Sequence, residues 1–119
     1  MDVIDLGQLT KNNKYFRHVI ATYPSHQIVL MSVDDQIPCE IHDVSDQFIR
    51  VEKGAISVVS GNREYLVTED QSISIPRNTY HQVFNVDPRG PSKIYTIYSP
   101  PHHEHGHIDV YSPATSDSI

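Results

Sequence analysis

A chain of 119 residues with 9 basic and 15 acidic side chains, a formal net charge of −6, has room for one hydrophobic core and shows no cluster of Lys and Arg. Nucleic acid and anionic membranes are therefore poor partners for it, because neutralising phosphate needs clustered positive charge. At 38% hydrophobic residues the chain is no disordered tail, and Cys39, its single cysteine, excludes an intramolecular disulfide and fits a reducing compartment.

The N-terminal stretch MDVIDLGQLTKNNK has neither a basic n-region nor an apolar h-region, and Asp5 to Asn12 within it reads as a short helical turn. Runs rich in Val, Ile, Tyr, Phe and Thr follow: Phe16 to Thr22, Gln27 to Val33, Gln47 to Val51, Ala55 to Val59, Glu64 to Thr68, Ser72 to Ile75, His81 to Val86 and Lys93 to Tyr98. Ser60, Gly61 and Asn62 mark a tight hairpin between two of them. Short strands at this spacing, with no long helical pattern, predict an all-β antiparallel sandwich or barrel. The whole chain, 1–119, is expected to form one domain, with its barrel core at about 16–98 and a tail at 100–119. No segment approaches the ~20 apolar residues that span a bilayer, so a cytoplasmic protein is expected.

The chemistry concentrates in two places. In EIHDVSDQFIRVEKG, from Glu40 to Gly54, strand alternation points Glu40 and His42 the same way, and a turn through Asp43 to Asp46 returns the chain so that Gln47, Ile49 and Val51 face one interior. In PRNTYHQVFN, His81 opens another strand. A carboxylate, two imidazoles and an amide carbonyl could thus meet at one point.

These segments resemble the two motifs of the cupin superfamily, G-x5-H-x-H-x(3,4)-E-x6-G and G-x5-P-x-G-x2-H-x3-N. The first lies on Asp34, Glu40, His42, Gln47 and Gly54, the second on Asp70, Pro76, Asn78, His81 and Asn85, with 15 residues between Gly54 and Asp70. His42, Gly54, Pro76, His81 and Asn85 agree with the pattern, while Asp34, Asp70 and Asn78 stand where it has Gly, Glu40 where it has His and Gln47 where it has Glu. Asp and Asn replace Gly in turns with least strain, so the fold survives the first three departures. The resemblance implies an antiparallel jelly-roll barrel whose metal ligands are Glu40, His42, Gln47 and His81. Moving the carboxylate from one position to the other leaves the charge of the set unchanged. The same ligand types, with two positions exchanged, occur in the cupin phosphomannose isomerases. Oxygen and imidazole donors suit Zn²⁺, Fe²⁺, Mn²⁺, Ni²⁺ or Co²⁺, and the lack of thiolate speaks against a closed structural zinc site.

His102, His103, His105 and His107 crowd the C-terminal segment. Gly106 and the neighbouring prolines favour a solvated polar tail there over a second metal site, with a lid over the barrel mouth as a further reading. Arg17 and Arg50 are candidate anion anchors, although Arg50 should alternate outward, and Tyr95, Tyr98 and Tyr80 matter only if one faces inward. With no inward basic residue evident, an isomerase or lyase acting on an unphosphorylated sugar or other hydroxy-carbonyl compound is expected, with either Glu40, displaced from the ion, or a metal-bound water carrying the proton. An Fe²⁺ or Ni²⁺ dioxygenase and a non-catalytic binding module are the alternatives. A homodimer formed by sheet extension is expected from exposed strand edges.

Overall fold

Every run picked out by its β-branched and aromatic content is a strand in the computed structural model, which describes residues 1–113. Helix α1 (Leu6–Asn12) precedes β1 (Arg17–Thr22), β2 (Gln27–Val33), β3 (Gln36–Glu40), β4 (Asp46–Lys53), β5 (Ala55–Ser60), β6 (Arg63–Thr68), β7 (Ser72–Ile75), β8 (His81–Asn85), β9 (Ser92–Ser99) and β10 (Ile108–Asp109). They form one sheet in the order β10-β1-β2-β9-β4-β7 and a second in the order β3-β8-β5-β6, with every pairing antiparallel. Two such sheets facing each other make a jelly-roll barrel, which buries one face of each strand.

Period-two patterning decides that face. Along β4, Gln47, Ile49 and Val51 are buried while Phe48, Arg50 and Glu52 are not, and along β9 the inward set is Ser92, Ile94, Thr96 and Tyr98. Ile49, Val51, Ile56 and Ile94 are wholly shielded and anchor the core from both sheets. At one end β3, β4, β8 and β9 deliver Glu40, Gln47, His81 and Tyr98.

Two strands carry no clear signal in the residue pattern. Strand β3 contains Pro38, which cannot donate to a ladder, and it forms at the edge of its sheet with an irregular register between Ile37 and Glu40. Strand β10 is two residues long, too short to show a period.

Where the motif has Gly and this chain does not, Asp70 and Asn78 adopt φ of 66° and 65°. These are the left-handed turns that Asp and Asn tolerate better than other side chains. The expectation of a loose polar tail needs correction over its described part. Pro100 onward returns across the barrel and pairs β10 with β1, Arg17 against Asp109 and His18 against Ile108. The rest of that tail, 114–119, lies outside the described residues.

Candidate metal centre

Strand β3 ends at Glu40, and its pairing with β8 sets Glu40 directly against His81. Two residues on, the loop into β4 turns His42 inward, so carboxylate and imidazoles share one end of the barrel. Glu40 Oε1 stands 3.3 Å from His42 Nε2 and 3.6 Å from His81 Nε2, and the ligand atoms of the three residues all lie within 4.8 Å of one another. His42 and His81 are buried, whereas the Glu40 side chain keeps 25% of its surface exposed.

The donors fit a divalent cation. Ligand atoms about 2.1 Å from one ion, at angles of about 90–120°, stand about 3.0–3.6 Å apart. The two measured separations, 3.3 and 3.6 Å, agree with that spacing. His42 Nδ1 and Nε2, His81 Nε2 and Gln47 Oε1 are buried without a hydrogen-bond partner among the described residues. Buried lone pairs left without a donor cost about 1–3 kcal/mol each, and an ion would satisfy those that face it. His81 Nδ1 donates to the Thr79 carbonyl at 2.9 Å, which leaves Nε2 as the lone-pair nitrogen and holds the ring in place.

Electrostatics match this reading. Burial alone would lift the Glu40 carboxyl, but the His42 and His81 imidazoles that face it outweigh burial and hold its pKa at about 2. Burial presses the other way on His81, and the Glu40 carboxylate with the Thr79 carbonyl raises it above the ordinary 6.5. Gln47 enters from β4 and donates through Nε2 to the Tyr98 hydroxyl at 3.2 Å. Burial, then the Glu40 charge, keeps that phenol protonated well above its ordinary range.

Other sequence candidates fall away from this point. Arg50 faces out, 3.3 Å from Glu52 and 3.1 Å from Asp70, as strand alternation implied. Tyr80 is exposed, Tyr95 packs on the outward Phe48 and Cys39 is half-buried as a free thiol. Arg17 is mostly buried and pairs with Asp109 at 2.6 Å. His102 is exposed, as expected from composition, and its ring lies 4.5 Å from that of His42 and 5.4 Å from that of Tyr98. His103 sits 5.1 Å from Tyr98, and burial followed by the Arg17 charge lowers its pKa to about 4. The Pro-Pro step ahead of these histidines is the one signal of this in the residues, since it stiffens the chain just where β9 leaves the barrel.

A cavity of about 210 Å³ reaches His81 from the side of β5, β6 and β7, walled by Val58, Tyr65, Ile73, Ile75, Pro76 and Thr79 among others, and no Lys or Arg lines it. A larger depression of about 420 Å³ runs along Phe48, Ser74 and Ile97, on the outward side of β4 and β9. No helix among the described residues is long and apolar enough to cross a membrane.

Comparison with known proteins agrees with this architecture. Residues 27–98 match the family model described as a cupin domain. The uncharacterized protein L612 of Acanthamoeba polyphaga mimivirus is 42% identical over 121 residues, spanning 98% of this chain and 76% of that protein. The uncharacterized protein YrkC of Bacillus subtilis is 36% identical over 114 residues, spanning 89% of this chain but only 61% of its own length. The crystal structure of BH2720 from Bacillus halodurans superposes with a TM-score of 0.88 at 37% identity, covering 92% of this chain and 88% of that one.

Proposed function

This chain belongs to the cupin family, and from that premise we propose that it is a metal-dependent enzyme of the isomerase or lyase kind, acting on a small hydroxy-carbonyl compound such as an unphosphorylated sugar. The observation that carries the proposal is the placement of Glu40 Oε1 between the buried Nε2 atoms of His42 and His81. These three residues, with Gln47 as a fourth ligand through its unpartnered Oε1, would hold a divalent ion. When bound, the ion supplies Lewis acidity that acidifies the C–H beside a chelated carbonyl. Glu40, a permanent anion while it faces both imidazoles, serves chiefly as ligand and takes a proton only when displaced from them. Tyr98 offers a protonated phenol beside Gln47. The cavity at His81, free of Lys and Arg, supports a ligand without phosphate.

In deuterium oxide, protein loaded in turn with Zn²⁺, Mn²⁺, Fe²⁺, Ni²⁺ and Co²⁺ is expected to place solvent deuterium beside the carbonyl of a hydroxy-carbonyl substrate. No exchange with any of these metals across a panel of aldoses, ketoses and keto acids would end the isomerase or lyase reading. One observation favours a second reading: two histidines and one carboxylate are also the donor set of non-haem iron oxygenases. Substrate-dependent oxygen consumption by the iron-loaded protein, without deuterium exchange, would select it. Shifts in melting temperature on adding a ligand that is never turned over would select a binding module instead.

Protons compete with the metal for the same lone pairs. His81 is raised above 6.5, so affinity should be full well above that pH and fall as the pH drops through it. Chelator-competition titrations between pH 8 and 5 measure this, and a pH-independent affinity would count against imidazole ligation.

A homodimer formed by sheet extension belongs to the same proposal. Strand β6 is a sheet edge and presents Leu66, 65% exposed, beside Tyr65. The chain should elute at twice 13.5 kDa in size-exclusion chromatography, and elution as a monomer would remove the dimer. The single free cysteine accords with a cytoplasmic location.

A further inference from the structure

The Glu40, His42 and His81 centre does not explain why the segment after β9 is fastened so firmly across the barrel mouth. Ser45 Oγ donates to the Pro100 carbonyl at 2.7 Å. Gln27, wholly buried on β2, devotes its amide to the segment: Oε1 accepts from the His102 and His103 N–H groups at 3.1 and 2.8 Å, and Nε2 donates to the His103 carbonyl at 2.7 Å. Further on, Val19 N–H donates to the His107 carbonyl at 2.9 Å, and Arg17 holds Asp109 at 2.6 Å. A buried amide used in this way positions backbone, and the side chain it presents to the site is His102.

The ring geometry suits a shared ion. An imidazole ring centre lies about 3.2 Å from a metal bound at Nε2, so two rings at right angles on one ion have centres about 4.5 Å apart. His42 and His102 have ring centres 4.5 Å apart with planes at 74°, and His42 and His81 have 5.4 Å, which corresponds to an angle of about 115°. We propose that His102 is a further ligand of the same ion, closing the centre from the mouth side; this rests on the metal reading above. Its nitrogens stand outside the tight cluster formed by the other three residues. His102 is exposed, and its ring lies against those of His42, His103 and Tyr98 at 4.5, 4.7 and 5.4 Å, so a turn about its side-chain bonds is what brings a nitrogen to the ion. His103 is the internal control, since its ring leans on Tyr98 at 5.1 Å and stacks with His107 at 6.3 Å, away from His42.

The test is Co²⁺ affinity by chelator competition, together with the visible absorption of bound Co²⁺, on the full chain. His102→Ala should weaken Co²⁺ binding at least about tenfold and alter the Co²⁺ spectrum, while His103→Ala leaves both as in wild type. His102→Phe keeps a ring against His42 without a nitrogen and should lose as much affinity as His102→Ala. Wild-type affinity in His102→Phe would assign the effect to packing and overturn the proposal, as would wild-type affinity and spectrum in His102→Ala, or an equal loss in His103→Ala. If the wild-type protein itself takes up no Co²⁺, Zn²⁺ or Ni²⁺, the whole metal reading falls; wild-type binding with an indifferent His102→Ala removes the added ligand alone.

Discussion

His81→Ala is expected to leave the purified protein with close to no bound metal, where the wild type carries about one ion per chain. His81 brings an imidazole whose Nδ1 is already engaged by the Thr79 carbonyl, which leaves Nε2, 3.6 Å from Glu40, as the atom that would take the ion. Losing a residue that merely orients a ligand costs about 10–100-fold in affinity, and losing the ligand should cost more than that. The substitution also removes one of the two imidazoles that hold the Glu40 carboxyl near a pKa of 2, so Glu40 should titrate closer to its ordinary 4.5. Elemental analysis after chelation and reloading measures the first effect, with Glu40→Gln as a variant that removes charge at constant size. Full metal occupancy in both variants would dispose of the centre.

Gly54→Ala should cost on the order of 3 kcal/mol and lower the melting temperature by about 10 °C or more. Gly54 sits at φ 95°, and a Cβ there would lie 2.4 Å from Ser92 Oγ and 3.0 Å from Ser92 Cα. The hydroxyl cannot simply swing aside, because it accepts from Ala55 N–H at 3.0 Å and donates to Asn85 Oδ1 at 2.7 Å. Asn85 in turn donates to the Asp34 and Gly90 carbonyls at 3.0 and 2.9 Å, so the clash reaches the ends of β2, β5, β8 and β9 together. Gly61 is the comparison, at φ 61° with nothing within 4 Å of the place a Cβ would take. Its change to Ala should cost only the backbone strain, about 1 kcal/mol. Equal melting shifts for the two would contradict the steric account.

Part of the site is legible from the residues alone. Alternation turns Arg50 outward, as the residues imply, whereas β3 ends at Glu40 and the loop beyond it is what turns His42 inward. The left-handed turns at Asp70 and Asn78 are legible from backbone geometry over a few residues. Strand β3 is not, because Pro38 argues against a strand unless its partner lies on one side only, and edge position is a property of the sheet. For the C-terminal histidines composition rightly describes a polar, proline-flanked segment with His102 and His105 exposed, but it does not show that the segment crosses the mouth. What keeps His102 at the mouth is Gln27, 75 positions earlier.

Local pattern is enough to specify the strands other than β3 and β10, their inward faces and the residue types at the two motifs, because each depends on φ, ψ and side-chain period among near neighbours. Pairing of strands distant in the chain, β2 and β4 on either side of β9, is what lets Tyr98 cap Gln47 and Gln27 tie down the segment after β9, and the return of that segment over the mouth brings His102 beside His42. Those contacts join residues far apart along the chain, and they exist only once β2, β9 and β4 have paired and the chain beyond β9 has crossed the mouth.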